Sequence, residues 1–347
     1  MKRKISKLSG LTLSTKYILM IISVMLPAIA GCECEDQLYN YSDPNDPYYQ
    51  ERIFVSTDAG ETWQKQNTLD ISCISIGYTY YDEGYKIIIA GKNNFIFSST
   101  NLGATWKDTM INYVDFFTGM AFSPYEGVFS ILDNSNSFIH STDYASSWHK
   151  QSAPPGEKLK YIDFRPSTTT YQAAVGDFSD RIYLTTNGGN NWVYAGTGVT
   201  GTERFTGIKY IRDNIIAAFG YDSLMLRSTD YGNTWDFQDM PGTASILSLE
   251  ANPELHFLIG GSNAAGKFWY SPDLGNTWEH KEFTSPTYRS RYFSVSYSSI
   301  ILGVGNQGEM VKSTDMGNTW RKITSVTDRD FSDVLFINNS LVVAVCY

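Results

Sequence analysis

An octet of the form Ser-x-Asp-x-Gly-x-Thr-Trp occurs seven times, and the tryptophans that close it stand almost evenly apart. The copies run Ser56 to Trp63, Ser99 to Trp106, Ser141 to Trp148, Thr185 to Trp192, Ser228 to Trp235, Ser271 to Trp278 and Ser313 to Trp320. Successive tryptophans are 43, 42, 44, 43, 43 and 42 residues apart. A period of this size is the signature of a repeat architecture in which each unit buries its apolar face against the next.

Each copy has the chemistry of a tight turn. The acidic residue at the third position (Asp58, Asp143, Asp230, Asp273, Asp315) can accept hydrogen bonds from backbone N–H groups two or three residues on, as in an Asx turn. The glycine supplies a positive φ that a residue with a Cβ adopts only at a cost. The tryptophan (Trp63, Trp106, Trp148, Trp192, Trp235, Trp278, Trp320) is a packing plate. Asn101 and Asn187 stand in for Asp in two copies. An amide still accepts a hydrogen bond, so a structural role survives and an ionised catalytic role does not. In the third copy Ala145 replaces the glycine, and that turn is expected to be the most strained. One carboxylate per copy supplies too few oxygens for a calcium cage.

The motif resembles the Asp box, or bacterial neuraminidase repeat, along nearly the whole of residues 51–347. That superfamily includes sialidases, xyloglucan-cleaving hydrolases, sortilin-type receptors and photosystem II assembly factors. The resemblance implies a β-propeller with the box in the hairpin between the third and fourth strands of each blade. Function is not inherited with such a fold.

The segments between boxes read as strands in their own right. Phe205 to Ile211, Ile215 to Phe219 and Leu224 to Arg227 are apolar runs that lead into the fifth box. Small residues recur in the second run, as in Ala90-Gly91, Gly260-Gly261 and Gly303-Val304-Gly305, where they let strands crowd together. Four strands in about 43 residues fit a propeller blade. Before the first box only Arg52 to Val55 is available; after the last come Phe331 to Ile337 and Leu341 to Cys346. The expected fold is therefore all-β, a seven-bladed β-propeller of four-stranded antiparallel blades. It is closed by a blade shared between N- and C-terminal strands, which removes exposed sheet edges.

Lys2, Arg3, Lys4 and Lys7 precede an apolar run, Tyr17 to Ala30, of signal-peptide rather than membrane-spanning length. It ends Ile29-Ala30-Gly31-Cys32, which resembles a bacterial lipobox. This implies a lipoprotein signal peptide over residues 1–31 and lipidation at Cys32. Residues 32–50 then form an acidic tether ahead of the 51–347 propeller. Glu33 follows Cys32, which favours the outer membrane if the host is Gram-negative. The expected protein is exported, held to the membrane through its N-terminal lipid only, and monomeric. A net charge of −9 argues against nucleic acid. Cys34, Cys73 and Cys346 remain after lipidation; a clasp between Cys73 and Cys346 is conceivable in an oxidising compartment, but both also fit as small buried residues. Four histidines and no Cys-x-x-Cys pair propose no metal site, and no cofactor is expected.

The boxes should lie on one face of the ring, leaving the other for binding. Aligning the start of each innermost strand places Asp70, Phe116, Lys158, Arg204, Thr243, Arg291 and Asp330 around the channel mouth, with Glu203, Tyr288, Arg289, Asp328 and Arg329 nearby. Lys158, Arg204 and Arg291 would suit an anionic group; a self-paired, solvated rim is the plainer alternative. Sialidases need an Arg-Ile-Pro motif, but Arg52-Ile53 is followed by Phe54 and lies immediately before a box. Asp70 and Asp330, with Asp115 close by, make a two-carboxylate glycosidase conceivable without selecting it. The stretch from Gly303 to Ser313 is similar to the strand–turn–strand of photosystem II assembly-factor propellers. The expected role is an envelope scaffold that binds a protein at the channel rim. The alternative is a propeller that binds or hydrolyses glycans.

Overall fold

The computed structural model describes residues 52–66, 71–112, 116–123, 126–135, 137–154, 159–166, 172–176, 181–196, 205–252, 254–285, 290–296 and 298–347. All of them fall in the unit formed by residues 41–347. Cys32 and the 1–31 and 32–50 segments lie outside the described residues.

Every described strand belongs to a four-stranded antiparallel sheet. Six blades are continuous in sequence, their innermost strands being Cys73–Tyr81, Phe117–Phe122, Leu159–Phe164, Phe205–Arg212, Ile246–Asn252 and Ser290–Val295. The remaining four-stranded sheet is composite. Its innermost strand is Phe331–Phe336, followed outward by Val342–Cys346, Ile53–Ser56 and Gln64–Gln66. Phe54 faces Ala344 and Phe336 faces Val342 across its two inner ladders. Each innermost strand packs on the next round the ring, and Phe331–Phe336 packs on Cys73–Tyr81 to close it.

Apolar alternation places the core between sheets. Ile87, Ile89 and Phe97 of one blade pack with Ile53, Val343 and Val345 of the composite sheet. Phe54 and Val342, from the other side of that sheet, pack with Leu302 and Met310 of the blade before it. Side chains stitch the ring as well. Buried Lys312 donates to the Ala59 carbonyl and to Glu61, each at 2.7 Å, and Arg321 pairs with the same Glu61. These contacts tie the last continuous blade to the first box. Cys73 and Cys346 are free thiols, both buried but in different apolar clusters, so no clasp joins them. Burial pushes the Cys346 thiol up to about 12.

The boxes are built alike. In the first, the Asp58 carboxylate accepts the Ser56 hydroxyl at 2.8 Å, the Thr62 N–H at 2.9 Å and the Thr62 hydroxyl at 2.6 Å. The reach is four residues, longer than an Asx turn alone requires. Burial opposes the charge on Asp58, but the Thr62 and Ser56 donors outweigh it and hold its pKa at about 2. Asn101 keeps the geometry: its Oδ1 accepts the Thr105 N–H at 2.9 Å and its amide donates to the Thr105 hydroxyl at 2.8 Å. Trp63, Trp235 and Trp320 each return a hydrogen bond from Nε1 to their own box glycine. Among the described residues no helix is long and apolar enough to cross a membrane.

Two consecutive box residues have positive φ, and only the second was expected. The first of them is Ala59, Leu102, Tyr144, Tyr231, Leu274 or Met316 in six copies. In the third copy the second is Ala145 at φ 57°, where the other copies have glycine at 82–86°. That turn carries two residues with a Cβ in the left-handed region, each costing about 1 kcal/mol. Ala145→Gly is therefore expected to raise stability by up to about 1 kcal/mol despite the added freedom of the unfolded chain. Urea melts of the two proteins measure the difference.

Candidate binding site at the channel mouth

The innermost strands surround a cavity of about 640 Å³ along the ring axis. One backbone irregularity recurs in all of them. The register to the second strand shifts between the first and third residues, as between Cys73 and Ser75, Phe117 and Gly119, and Ser290 and Tyr292. The same shift occurs at Leu159/Tyr161, Phe205/Gly207, Ile246/Ser248 and Phe331/Asp333. A β-bulge leaves one residue unpaired and re-aims its side chain. The bulged residues are Ile74, Thr118, Lys160, Thr206, Leu247, Arg291 and Ser332, and every one lines the cavity. The fold thus repeats one device around the ring to present a side chain at the mouth.

Three bulged residues are hydroxyls that bond inward. Thr206 donates to the Phe219 carbonyl at 3.3 Å and to Ile246 of the next blade. Ser332 reaches the Cys73 carbonyl at 2.8 Å, across the closing junction. Thr118 donates to Leu132 at 3.5 Å. Lys160 and Arg291 bring positive charge to the mouth. The Lys160 ammonium lies 5.7 Å from the Tyr161 ring centre. Arg291 is exposed and forms no ion pair among the described residues. Its backbone carbonyl, in contrast, is held by the Ser248 hydroxyl at 2.6 Å. Aromatic side chains frame it: Tyr221 is 47% exposed, and the Tyr292 hydroxyl lies 3.5 Å from that of Tyr347. Burial, and then Tyr347, push the Tyr292 phenol well above its ordinary range, so it remains a neutral donor.

Below the mouth the same strand faces carry a mixed-charge tier. Lys209 pairs with Glu250 at 3.2 Å, and the Asp163 carboxylate accepts the Tyr210 N–H of the next blade at 2.8 Å. Burial opposes the charge on Lys209, but Glu250 and Asp163 overcome it and raise its pKa. Asp163 is itself raised by burial, against the pull of Lys209. Asp333 bridges the closing junction by accepting the Ile76 N–H at 2.9 Å and the Ser75 hydroxyl at 3.2 Å. Burial still lifts its pKa to about 6. A carboxyl raised in the folded state favours folding while protonated. Its contribution is full below about pH 4 and is lost as pH rises through about 6. Asp333→Asn keeps an acceptor for Ile76 and is expected to flatten the stability profile between pH 4 and 6. Thermal melts across that window measure it.

The rim expected from sequence is redistributed. Asp70, Asp115, Lys158, Glu203, Arg204, Tyr288 and Arg289 lie outside the described residues. Of the described ones, Arg291 lines the cavity from inside its strand rather than ahead of it. Asp330 is turned to the neighbouring blade, its carboxylate accepting the Gln307 N–H at 2.8 Å. The Arg329 carbonyl accepts the Gly308 N–H at 2.7 Å. Phe116 is 48% exposed beside Asn134, whose N–H its carbonyl accepts at 3.0 Å. Lys160, Asp163, Lys209, Tyr221, Tyr292 and Asp333 were missed. The available signal was a charged or aromatic side chain breaking an apolar innermost strand. Among the described residues no cluster of His, Cys, Asp and Glu could hold a metal ion.

Comparison with known proteins agrees with this architecture. No family model matches the chain. A curated relative, the photosystem II assembly lipoprotein Ycf48 of Picosynechococcus sp. (strain ATCC 27264 / PCC 7002 / PR-6), is 26% identical over 316 residues, covering 83% of this chain and 86% of the relative. The chain has the β-propeller fold. Solved structures with a similar fold include YCF48 bound to D1 peptide, with a TM-score of 0.62 and 15% identity over 86% of this chain and 98% of that one. The GH74 enzyme of Niastella koreensis superposes with a TM-score of 0.65 and 13% identity, over 84% of this chain and 53% of that chain. At these identities the structural likeness speaks for the fold.

Proposed function

We infer that this propeller is a non-enzymatic scaffold that holds a segment of a partner protein across its channel mouth. The observation that carries the reading is the ring of seven bulged residues, which brings Arg291 and Lys160 to a cavity framed by Tyr221, Tyr292 and Tyr347. Arginine and tyrosine are frequent energetic anchors at protein interfaces. The sequence similarity to an assembly lipoprotein supports the role, and a solved propeller of the same fold is described as bound to a peptide. The reading includes export and attachment through lipid at Cys32, with the outer membrane favoured in a Gram-negative host. Hydrolysis of glycans is the weaker reading, since Asp330, one of the two carboxylates that would serve it, is already engaged by Gln307.

The test is partner capture by residues 35–347 beside the Arg291→Glu and Tyr221→Ala variants. Each is expected to weaken retention of the partner about 30-fold, the effect of losing an interface anchor worth about 2 kcal/mol. The melting temperature should not move, because both side chains are exposed. Retention unchanged in both variants would exclude the mouth as the binding face.

A further inference from the structure

We propose that the cleft between the blade beginning at Cys73 and the blade beginning at Phe117 binds an acidic sugar. This cleft lies away from the channel, among outer strands and two boxes. It encloses about 470 Å³, and its lining includes Lys86, Ser98, Trp106, Lys107, Thr109 and Trp148. That volume lies in the range of small-ligand sites.

Charge gives the first half of the chemistry. Neither Lys86 nor Lys107 forms an ion pair among the described residues, and the partner of the Lys86 ammonium is the Tyr81 ring at 5.4 Å. Burial pushes the Lys86 pKa down; Asp143 acts in the opposite sense, and Lys107 adds a smaller push downward. The Asp143 carboxylate is already engaged by the Ser141 and Ser147 hydroxyls and by the N–H groups of Ser146 and Ser147. Lys86 and Lys107 line the same cleft, so an incoming carboxylate would meet two cations there.

The rest of the lining suits a ring that carries hydroxyls. The Ser98 hydroxyl makes one long bond, 3.5 Å, to the Lys107 carbonyl, and Thr109 adds a second hydroxyl. Trp106 and Trp148 supply flat apolar surface for the C–H face of a sugar. The Trp106 Nε1 is buried without an acceptor, as are those of Trp192 and Trp278 in other boxes, whereas Trp63, Trp235 and Trp320 bond their box glycines. A bare inorganic anion would use the lysines and leave the indoles idle. An acidic sugar uses both.

Isothermal titration of the full chain with glucuronic acid, glucose and inorganic phosphate tests this. Glucuronic acid is expected to bind with Kd of about 1 mM or tighter. Glucose and phosphate should each bind at least about tenfold more weakly, the effect of losing roughly 1.4 kcal/mol of contact. Lys86→Gln and Lys107→Gln should each weaken glucuronic acid by a similar factor, with unchanged melting temperatures. Arg291→Glu should leave it unaffected, which separates this site from the channel mouth. No heat with glucuronic acid, phosphate or glucose binding as tightly, or lysine variants that bind like the parent would each overturn the proposal.

Discussion

A chain ending at Ser340 is expected to show no cooperative melt at 25 °C, while the parent melts as a single unit. The missing strand, Val342–Cys346, is the second strand of the composite sheet and pairs with Phe331–Phe336 on one side and Ile53–Ser56 on the other. All five of its residues are fully buried. Losing three buried valines alone removes about 5–9 kcal/mol of apolar burial. That is comparable with the whole stability of an ordinary domain, about 5–15 kcal/mol. The loss also exposes two sheet edges and separates the first box from the ring, so aggregation should accompany unfolding. Circular dichroism melts of the two chains measure the effect. A truncated chain that still melted cooperatively near the parent temperature would mean that the six continuous blades hold together without the composite sheet.

The second large effect joins fold to site. Gly261 lies in the second strand Phe257–Ser262, and a Cβ there would overlap the Arg291 carbonyl oxygen and crowd the Ser248 hydroxyl. Ser248 is the side chain that holds that carbonyl and also accepts the Gly261 N–H at 3.2 Å. Gly261→Ala must therefore push the Arg291 bulge away from its neighbour. The strain is in backbone, which cannot rotate aside, so the cost is expected near the upper end of overpacking, about 3 kcal/mol. Partner retention should fall with it, because the displaced segment carries Arg291. Gly84→Ala is the control. The nearest atom to its Cβ would be the Tyr81 carbonyl oxygen at 3.7 Å, and its stability should change by less than about 0.5 kcal/mol. Urea melts and capture on both variants separate the two cases.

The legible part of this protein was the part repeated in sequence. Seven boxes with fixed spacing and turn chemistry lead to strands, sheets and the composite closure, because each copy confirms the others. Asn101 keeping the turn with an amide follows from acceptor chemistry alone. Among the small second-strand residues, Gly261 meets the next blade at Arg291, whereas Gly91, Gly260 and Gly303 each meet atoms of their own blade. The mouth was not legible, for a specific reason. The rim residues were sought immediately before each innermost strand, but the chain bulges one residue inside it. That bulge has no sequence signature here: the residues filling it are Ile, Thr, Lys, Thr, Leu, Arg and Ser. Arg291, expected just ahead of its strand, is the second residue of Ser290–Val295 and so falls on the bulge. Asp163, Lys209 and Asp333 were passed over because a charged residue in an apolar strand reads as an outward-facing one. Only the ring geometry turns it toward the axis.

The central claim, that the partner sits on the channel mouth, is tested most directly by site-specific photocrosslinking in the native host cell. A photoreactive amino acid would replace Tyr221 at the mouth in one protein and Tyr231, on the box face, in another; both side chains are about half exposed. Adducts to one discrete protein from position 221, absent from position 231 and suppressed by Arg291→Glu, are the expected result. Adducts from position 231 with none from 221 would place the partner on the box face and contradict the account.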